Sequence, residues 1–339
     1  MTILIMTWSG DNECVENVTS ALEARGSRVF RLNTDQFPTE VQISARIELD
    51  CESVHLKSAE GAVVLSDVQA LWHRRIRVAR NLPETMDKQL RKASMEESRR
   101  TLFGALASEG TFVMDPVSRI RHGEHKQLQL RVARGAGLEI PRTLMSNDPC
   151  AVREFAADCG GKIVGKMLSS FAIFEGETEQ VVFTNPMGPA DLEHLEELRF
   201  CPMTFQEHIE KALELRVTIV GEKIFAASID SQSLEGAKSD WRREGRQLTN
   251  MWKPFELPAD VERSLLSMMD SLRLNYGAAD LILTPEGRYV FLEVNPAGEF
   301  FWLERACGLN ISEAIADLLL DRVPRRDTTI VPELGTILG

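Results

Sequence analysis

The stretch 277-GAADLILTPEGRYVFLEVNP-296 decides the fold. Two apolar runs flank Pro285, Glu286 and Gly287, residues that favour a tight turn, so the segment predicts an antiparallel hairpin. The turn brings Asp280 within about one residue of Glu293 across the ladder. Glu293 and Asn295 lie two apart, so on a strand both point to the same face. Three oxygen-donor side chains then converge at one end of a sheet, flanked by Leu281, Ile282, Phe291, Leu292 and Val294. A solvated hairpin with polar ends is the competing reading. It fits the apolar surroundings less well, because unpaired buried carboxylates are costly. Hard oxygen donors suit magnesium, which takes one or two protein carboxylates and fills its octahedron with water and substrate phosphate. The apolar tail Phe300 to Leu303 either packs beneath this group as core or walls a groove.

A phosphate ligand also needs cations. Lys126 falls near the start of a predicted helix, and Lys166 ends the strand-like run 162-KIVGK-166. Glu214 and Arg216 lie two apart at the start of a predicted strand, hence on one face. An acid beside a ribose and a guanidinium beside a phosphate fit that pattern; an exposed pair on an edge strand fits it too. The run 160-GGKIVGK-166 imitates a P-loop, but Met167 stands where the hydroxyl should be, and a helix precedes where a strand is required. His122 and His125, three apart, lack the carboxylate that would complete a metal signature.

The chain has 339 residues, enough for two or three domains, and a formal net charge of −12. That average field repels a long polyanion, which argues against nucleic acid as partner. No apolar run approaches the roughly 18 residues of a membrane span. The six cysteines are scattered without a Cys-x-x-Cys pair, which suits free thiols in a reducing cytoplasm.

Strand and helix alternate over the first 115 residues, as in a parallel sheet. A helix is predicted near Asn12–Arg25, a half-wet strand over Val41–Leu49 and a long helix over Glu84–Ser108. Asp115-Pro116 marks a boundary. Beyond it the pattern predicts one helix over His122–Arg134, strands over Lys162–Leu168 and Val181–Thr184, and a short acidic helix over Pro189–Leu198. A hairpin over 214–229, a helix over Pro258–Arg273 and a helix near Ser312–Leu320 complete the expectation.

In order, the chain offers Lys126, Lys166, 206-QEHI-209, 214-ELR-216, Asp280 and 292-LEVNP-296. This series resembles the ATP-grasp superfamily over nearly the whole chain. The stretches 71-LWHRRIR-77, 125-HKQLQLRVARGAGLEIPRTLMSN-147, 200-FCPMTFQEHIEKALELRVTIVG-221, 240-DWRREGR-246 and 292-LEVNPAGEFFWLE-304 look like the microviridin-type peptide ligases, the graspetide maturases. The resemblance implies an α/β (α+β ATP-grasp) fold: an N-terminal parallel-sheet domain (1–115), a central α+β subdomain (116–202), a C-terminal antiparallel-sheet subdomain (203–325) and a tail (326–339). ATP would lie between the last two.

It also implies roles. Lys126 and Lys166 would contact phosphates, Lys166 also lying near the adenine. Glu207 and Ile209 would present backbone groups to the adenine edge, and Glu214 would hold the ribose. Asp280, Glu293 and Asn295 would hold Mg2+, and Arg216 would be the catalytic residue, facing the γ-phosphate and an acyl phosphate. The substrate would be a precursor peptide with a leader and an acidic, hydroxyl-rich core. Core Asp or Glu carboxylates would be closed onto Ser/Thr hydroxyls as esters, or onto Lys amines as amides, with ester favoured. Arg74, Arg75, Arg77, Arg242, Arg243 and Arg246 could draw in the acidic core, and Val181–Leu198 is the candidate leader surface. No nucleic acid and no membrane partner is expected, cytoplasmic action is, and a homodimer is one expectation for assembly.

Two departures stand out. The glycine-rich phosphate flap is replaced by 168-LSSFAIFEGETEQ-180, and the first domain offers no motif of its own. The rival expectations are an ATP-grasp ligase for free amino acids or for glutamate on a protein tail and, from another class, a nucleotide-binding module without turnover.

Overall fold

The computed structural model describes residues 1–107, 110–167, 172–175, 178–181, 184–231 and 251–327. Arg242, Arg243 and Arg246 lie outside them, as do residues 168–171, 176–177 and 182–183 and the last twelve positions of the expected tail, 328–339.

The first elements are β1 (Thr2–Thr7), α1 (Glu13–Glu23), β2 (Arg28–Asn33), β3 (Gln42–Ile47), β4 (Glu52–Ser58), β5 (Gly61–Val64), β6 (Val68–His73), α2 (Lys88–Ala107) and β7 (Phe112–Val113). Strands β2-β1-β6-β7 form a wholly parallel sheet in that order. β1 is an unbroken apolar run because both faces of a parallel sheet are covered. Asn12 caps α1 by accepting from the Cys14 N–H, and Val15, Val18 and Leu22 turn inward at helical spacing. The strand expected over 41–49 is shorter and wetter than its alternation suggests. It edges the three-stranded meander β3-β4-β5, and Ile47 at its end and Leu49 beyond it are exposed.

The central region holds α3 (Val117–Gly123), α4 (Lys126–Gly135), β8 (Thr143–Ser146), α5 (Pro149–Asp158), β9 (Ile163–Lys166), β10 (Ala172–Glu175), β11 (Thr178–Val181), β12 (Asn185–Met187), α6 (Pro189–Glu193) and β13 (Met203–Glu207). The single helix expected over His122–Arg134 is in fact two. Gly123 packs against Leu274, where a Cβ would lie 2.8 Å from Cδ1, and His125 turns extended before the chain restarts as α4. Lys126 thereby becomes the first residue of α4. The sheet runs β12-β9-β13-β8, every pair antiparallel. β13 lies at the head of the C-terminal unit by sequence, yet it pairs here. The P-loop look-alike is a helix end followed by β9. Where the strand over Val181–Thr184 was expected, β11 ends at Val181 and pairs back on β10. The acidic helix over Pro189–Leu198 is split into α6 and a 3-10 turn at Glu196–Phe200.

The C-terminal region holds β14 (Leu213–Val220), β15 (Lys223–Ile229), β16 (Lys253–Pro254), α7 (Ala259–Leu272), β17 (Tyr276–Leu283), β18 (Tyr289–Asn295), α8 (Phe301–Cys307) and α9 (Ile311–Leu319). The antiparallel sheet β16-β15-β14-β17-β18 carries a core on each face. Leu215, Val217 and Ile219 pack with residues of α4 and α7. Val220, Ile229 and Tyr276 pack on the other side with α8, α9 and α1. That second cluster takes in Phe300, Trp302 and Leu303, so the tail behind the hairpin is core.

One buried acid ties the first domain to this sheet. Asp115 sits at the expected boundary and accepts from the Asn275 N–H at 2.8 Å and the Tyr276 N–H at 2.9 Å. Burial pushes its pKa up to about 8, against the pull of those two N–H donors. Asp115→Asn is expected to cost about 2 kcal/mol, because its NH2 would face a backbone N–H that then has no acceptor. Denaturant unfolding with an unchanged slope would measure it.

Candidate active site

Three strands set out one row of charge. Arg216 on β14 stands opposite Asp280 on β17, and Asp280 stands opposite Glu293 on β18. Arg216 Nη1 donates to Asp280 Oδ1 at 2.8 Å, and Lys126 Nζ lies 2.7 Å from Glu293 Oε2. The row reads cation, carboxylate, carboxylate, cation. Lys126 opens α4, where the helix dipole disfavours a cation, so Glu293 is its natural counter-ion.

The pairing of the two carboxylates depends on a β-bulge. From the turn outward, Leu283 pairs Tyr289, Ile282 pairs Val290 and Leu281 pairs Phe291. The register then shifts by one, and Asp280 meets Glu293 instead of Leu292. Without the extra residue, Glu293 would share the row of Ala279, which belongs to the apolar cluster against α7. Bulges commonly re-aim side chains beside active sites.

The donor set fits a hard divalent cation. Asp280 and Glu293 are 26% and 28% exposed, open enough for an ion to reach and sheltered enough to hold it. Among the described residues no three His, Cys, Asp or Glu side chains gather, which leaves the Asn295 amide as the candidate for a third protein oxygen. Asn295 is exposed on the same face, and its Oδ1 accepts from the Ala297 N–H at 2.9 Å, turning the chain into the next loop.

That loop lies close over the row. A Cβ on Gly298 would sit 2.4 Å from Ala278 Cβ and 3.0 Å from Arg216 Nη2, so only glycine fits. The Tyr276 hydroxyl donates to Gly298 O at 2.8 Å and holds the loop down. Burial works to lower the Arg216 pKa, but Asp280 beside it raises it on balance, so the guanidinium stays charged.

The other expected residues lie on β14, on β9 and at the end of β13. Glu214 is two residues before Arg216, and its Oε1 accepts from Lys211 Nζ at 3.0 Å and Ser231 Oγ at 2.6 Å. Lys166 is half-buried on β9 opposite Thr204. Glu207 ends β13, its Oε1 accepting from the Arg142 N–H at 2.7 Å, and Ile209 follows it half-buried. Residues 208–212 lead from that strand into β14, so the two sheets adjoin along the chain.

The first domain also reaches the site, through two of the arginines expected to draw in the acidic core. β1 leads to β2 on one side of the parallel sheet, and the chain returns to β6 on the other. The crevice at the C-terminal ends of β1 and β6 is therefore a topological switch point, where such sheets bind ligands. Arg74 and Arg75 project there from the end of β6. Arg74 Nη1 donates to Ala297 O, and Arg75 Nη1 lies 2.8 Å from Glu299 Oε1. The sequence signal was the basic 72-WHRR-75 at a strand end, and its arginines clamp the loop that follows Asn295.

Beyond Ala297 opens a cavity of about 730 Å³ between the 74–80 segment, α2 and α3. Seven basic side chains line it against two acidic ones, Glu96 and Glu124. Arg77 stacks on Trp8, its guanidinium carbon 3.8 Å from the ring centre. His73 in its wall is neutral, because burial drives its pKa down to about 4. In a chain of net charge −12, this is a local reversal of sign.

Residues 2–121 match the family model described as the MvdD pre-ATP grasp domain. A Chryseobacterium gregarium RiPP-associated ATP-grasp ligase, solved in complex with ADP and a leader and core peptide, superposes with a TM-score of 0.93 at 38% identity, covering 97% of this chain and 99% of its own. The chain belongs to the RiPP-associated ATP-grasp ligases. Macrocyclase MdnC of Microcystis aeruginosa MRC, solved with precursor peptide MdnA, superposes on this ligase at a TM-score of 0.85 and 47% identity, over 95% of this chain and 100% of its own. A probable alpha-L-glutamate ligase of Shewanella loihica is 25% identical over 215 residues, 62% of this chain and 67% of that protein. The ATP-grasp fold expected from the motifs is the fold found, and the enzyme is an ATP-dependent ligase. Among the described residues no helix is long and apolar enough to cross a membrane.

Proposed function

We propose that this ligase closes side-chain macrocycles on a ribosomally made precursor peptide in the cytoplasm. The observation that carries the reading is the basic cavity opening at Ala297, two residues past Asn295, since an acidic enzyme needs a local reversal of sign to admit an acidic core. The γ-phosphoryl of ATP passes to a core Asp or Glu carboxylate and releases ADP. A Ser or Thr hydroxyl of the core then attacks the acyl phosphate, loses its proton and expels phosphate, leaving an ester. A Lys amine attacking in its place leaves an amide. We favour the ester, on the likeness to microviridin-type ligases.

Mg2+, when held by Asp280, Glu293 and Asn295, neutralises phosphate charge during the first transfer. Lys126 and Lys166 bind the phosphates, Glu214 binds the ribose, and the backbone at Glu207 and Ile209 meets the adenine edge. Arg216 stabilises the oxyanion formed when the hydroxyl attacks. The leader docks on the Val181–Leu198 segment, away from the row. Three units divide this work, with one boundary near residue 115 and the other after β13, which pairs in the central sheet, rather than at residue 202.

Incubating the enzyme with a Thr- and Glu-rich precursor and ATP is expected to release one ADP and remove one water from the peptide per ring, read by mass spectrometry. ADP formed only when a free amino acid is added would instead favour an amino-acid ligase.

A further inference from the structure

The edge of the charged row is held by a residue that touches no substrate site itself. β18 is the outer strand of its sheet, and among the described residues its outer edge meets no further strand, only an isolated bridge from Glu139 to Val290. At Val294, between Glu293 and Asn295, that side faces α4. Gln129 of α4 is wholly buried, and its amide pairs with both backbone groups of Val294. Nε2 donates to Val294 O at 2.8 Å, and Oε1 accepts from the Val294 N–H at 3.1 Å. The side chain stands in for a sixth strand at one position. Nε2 also donates to Gly123 O, in the turn between α3 and α4.

Gln129 lies three residues after Lys126, so both face the same side of α4. Lys126 Nζ meets Glu293 Oε2 at 2.7 Å. The helix that carries the lysine is thus fastened to the strand that carries the carboxylate at two adjacent points. One is a half-buried ion pair, open enough for ligands and ions to exchange. The other is a buried three-bond amide clasp, which they cannot.

We infer that Gln129 is a positioning residue: it fixes the register between α4 and β18, and so sets Glu293 and Asn295 for the metal and Lys126 for the phosphate. The inference rests on the metal reading above, and the two fail separately. Wild-type protein that binds no Mn2+ in the presence of ADP sinks the metal reading. Wild-type protein that binds it, with a Gln129 variant that binds it equally well, sinks this one.

The test is Gln129→Met, which keeps the volume and removes the clasp, beside Leu130→Ala, which thins the same helix core and leaves the Gln129 amide on the Val294 backbone in place. Mn2+ binding with ADP is read by electron paramagnetic resonance, and melting by circular dichroism. Gln129→Met is expected to weaken Mn2+ about tenfold and to lower kcat while the peptide KM holds, the size seen when partners of metal ligands are removed. Leu130→Ala is expected to melt earlier and bind Mn2+ as the wild type does. Equal losses in both variants would overturn the inference.

Should Gln129→Met not fold, Gln129→Glu keeps the acceptor for the Val294 N–H and sets a carboxylate against two carbonyl oxygens. It is expected to show the same tenfold loss. Hydrogen exchange tests the unaltered protein: Mn2+ with ADP is expected to raise the protection of the Val294 amide, and no change there counts against the clasp.

Discussion

Glu293→Gln is expected to lower ring formation about a thousandfold, equivalent to about 4 kcal/mol of barrier. Glutamine keeps the shape and one carbonyl oxygen but removes the charge. Two groups lose their partner together. Lys126, 2.7 Å away, becomes an uncompensated cation at a helix N-terminus, and the divalent ion loses one of two carboxylates. The side chain is 28% exposed, so water can hydrate the new amide and the fold should hold. The measurement is ADP release with precursor peptide, beside a melting curve and a peptide-binding titration. Peptide affinity is expected to hold, since the candidate leader surface is on other elements. Full turnover in this variant would remove Glu293 from the metal set.

Arg216→Lys is the second large effect, about a hundredfold in kcat with the KM for ATP and peptide little changed. Lysine keeps the charge but cannot hold the guanidinium geometry. Arg216 is almost wholly buried, with Nη1 on Asp280 and Nη2 beneath the Gly298 loop. Its Nε has no hydrogen-bond partner among the described residues, so a donor stands ready in the site. A compact ammonium on a flexible stem can replace one of these contacts but not the planar fork. A rise in KM with kcat unchanged would assign Arg216 to binding instead.

The carboxylate row was legible in outline because its parts lie in one hairpin. Alternation placed Glu293 and Asn295 on one face, and the turn brought Asp280 near. The bulge at Leu292 was not legible, since an extra residue in a ladder leaves no trace in an apolar run. The break between α3 and α4 was hidden because Gly123 sits inside a helical pattern, and the reason for it, Leu274, is distant in sequence. β4 and β5 escaped because their buried residues, Val54, Leu56 and Val63, are too few to set a period against charged neighbours. α8 was overlooked because its apolar run, Phe300 to Leu303, carries no helical spacing on its own.

The arginines of the first domain were read as charge for an acidic core, not as a clamp on the loop after Asn295. Arg74 and Arg75 gain meaning only through Ala297 and Glu299, more than two hundred positions away. Gln129 was silent for the same reason: a glutamine inside a helix looks like solvent-facing filler until its partner strand is known. What sequence alone conveys well is chemistry held within one hairpin. Contacts between distant segments need the fold.

The bulge has a consequence for how this gene can change. Side-chain direction along β18 is a matter of odd or even count, and Leu292 supplies the one step that sets the parity. Losing or gaining a single codon between Tyr289 and Glu293 would swap the faces and send the carboxylate into the apolar layer. A paired change of two would restore the direction. The tip at residues 284–288 is under no such rule, because the count restarts at the Leu283–Tyr289 pair. The hairpin's end is free to vary in length, while its arm is locked to the chemistry at its base.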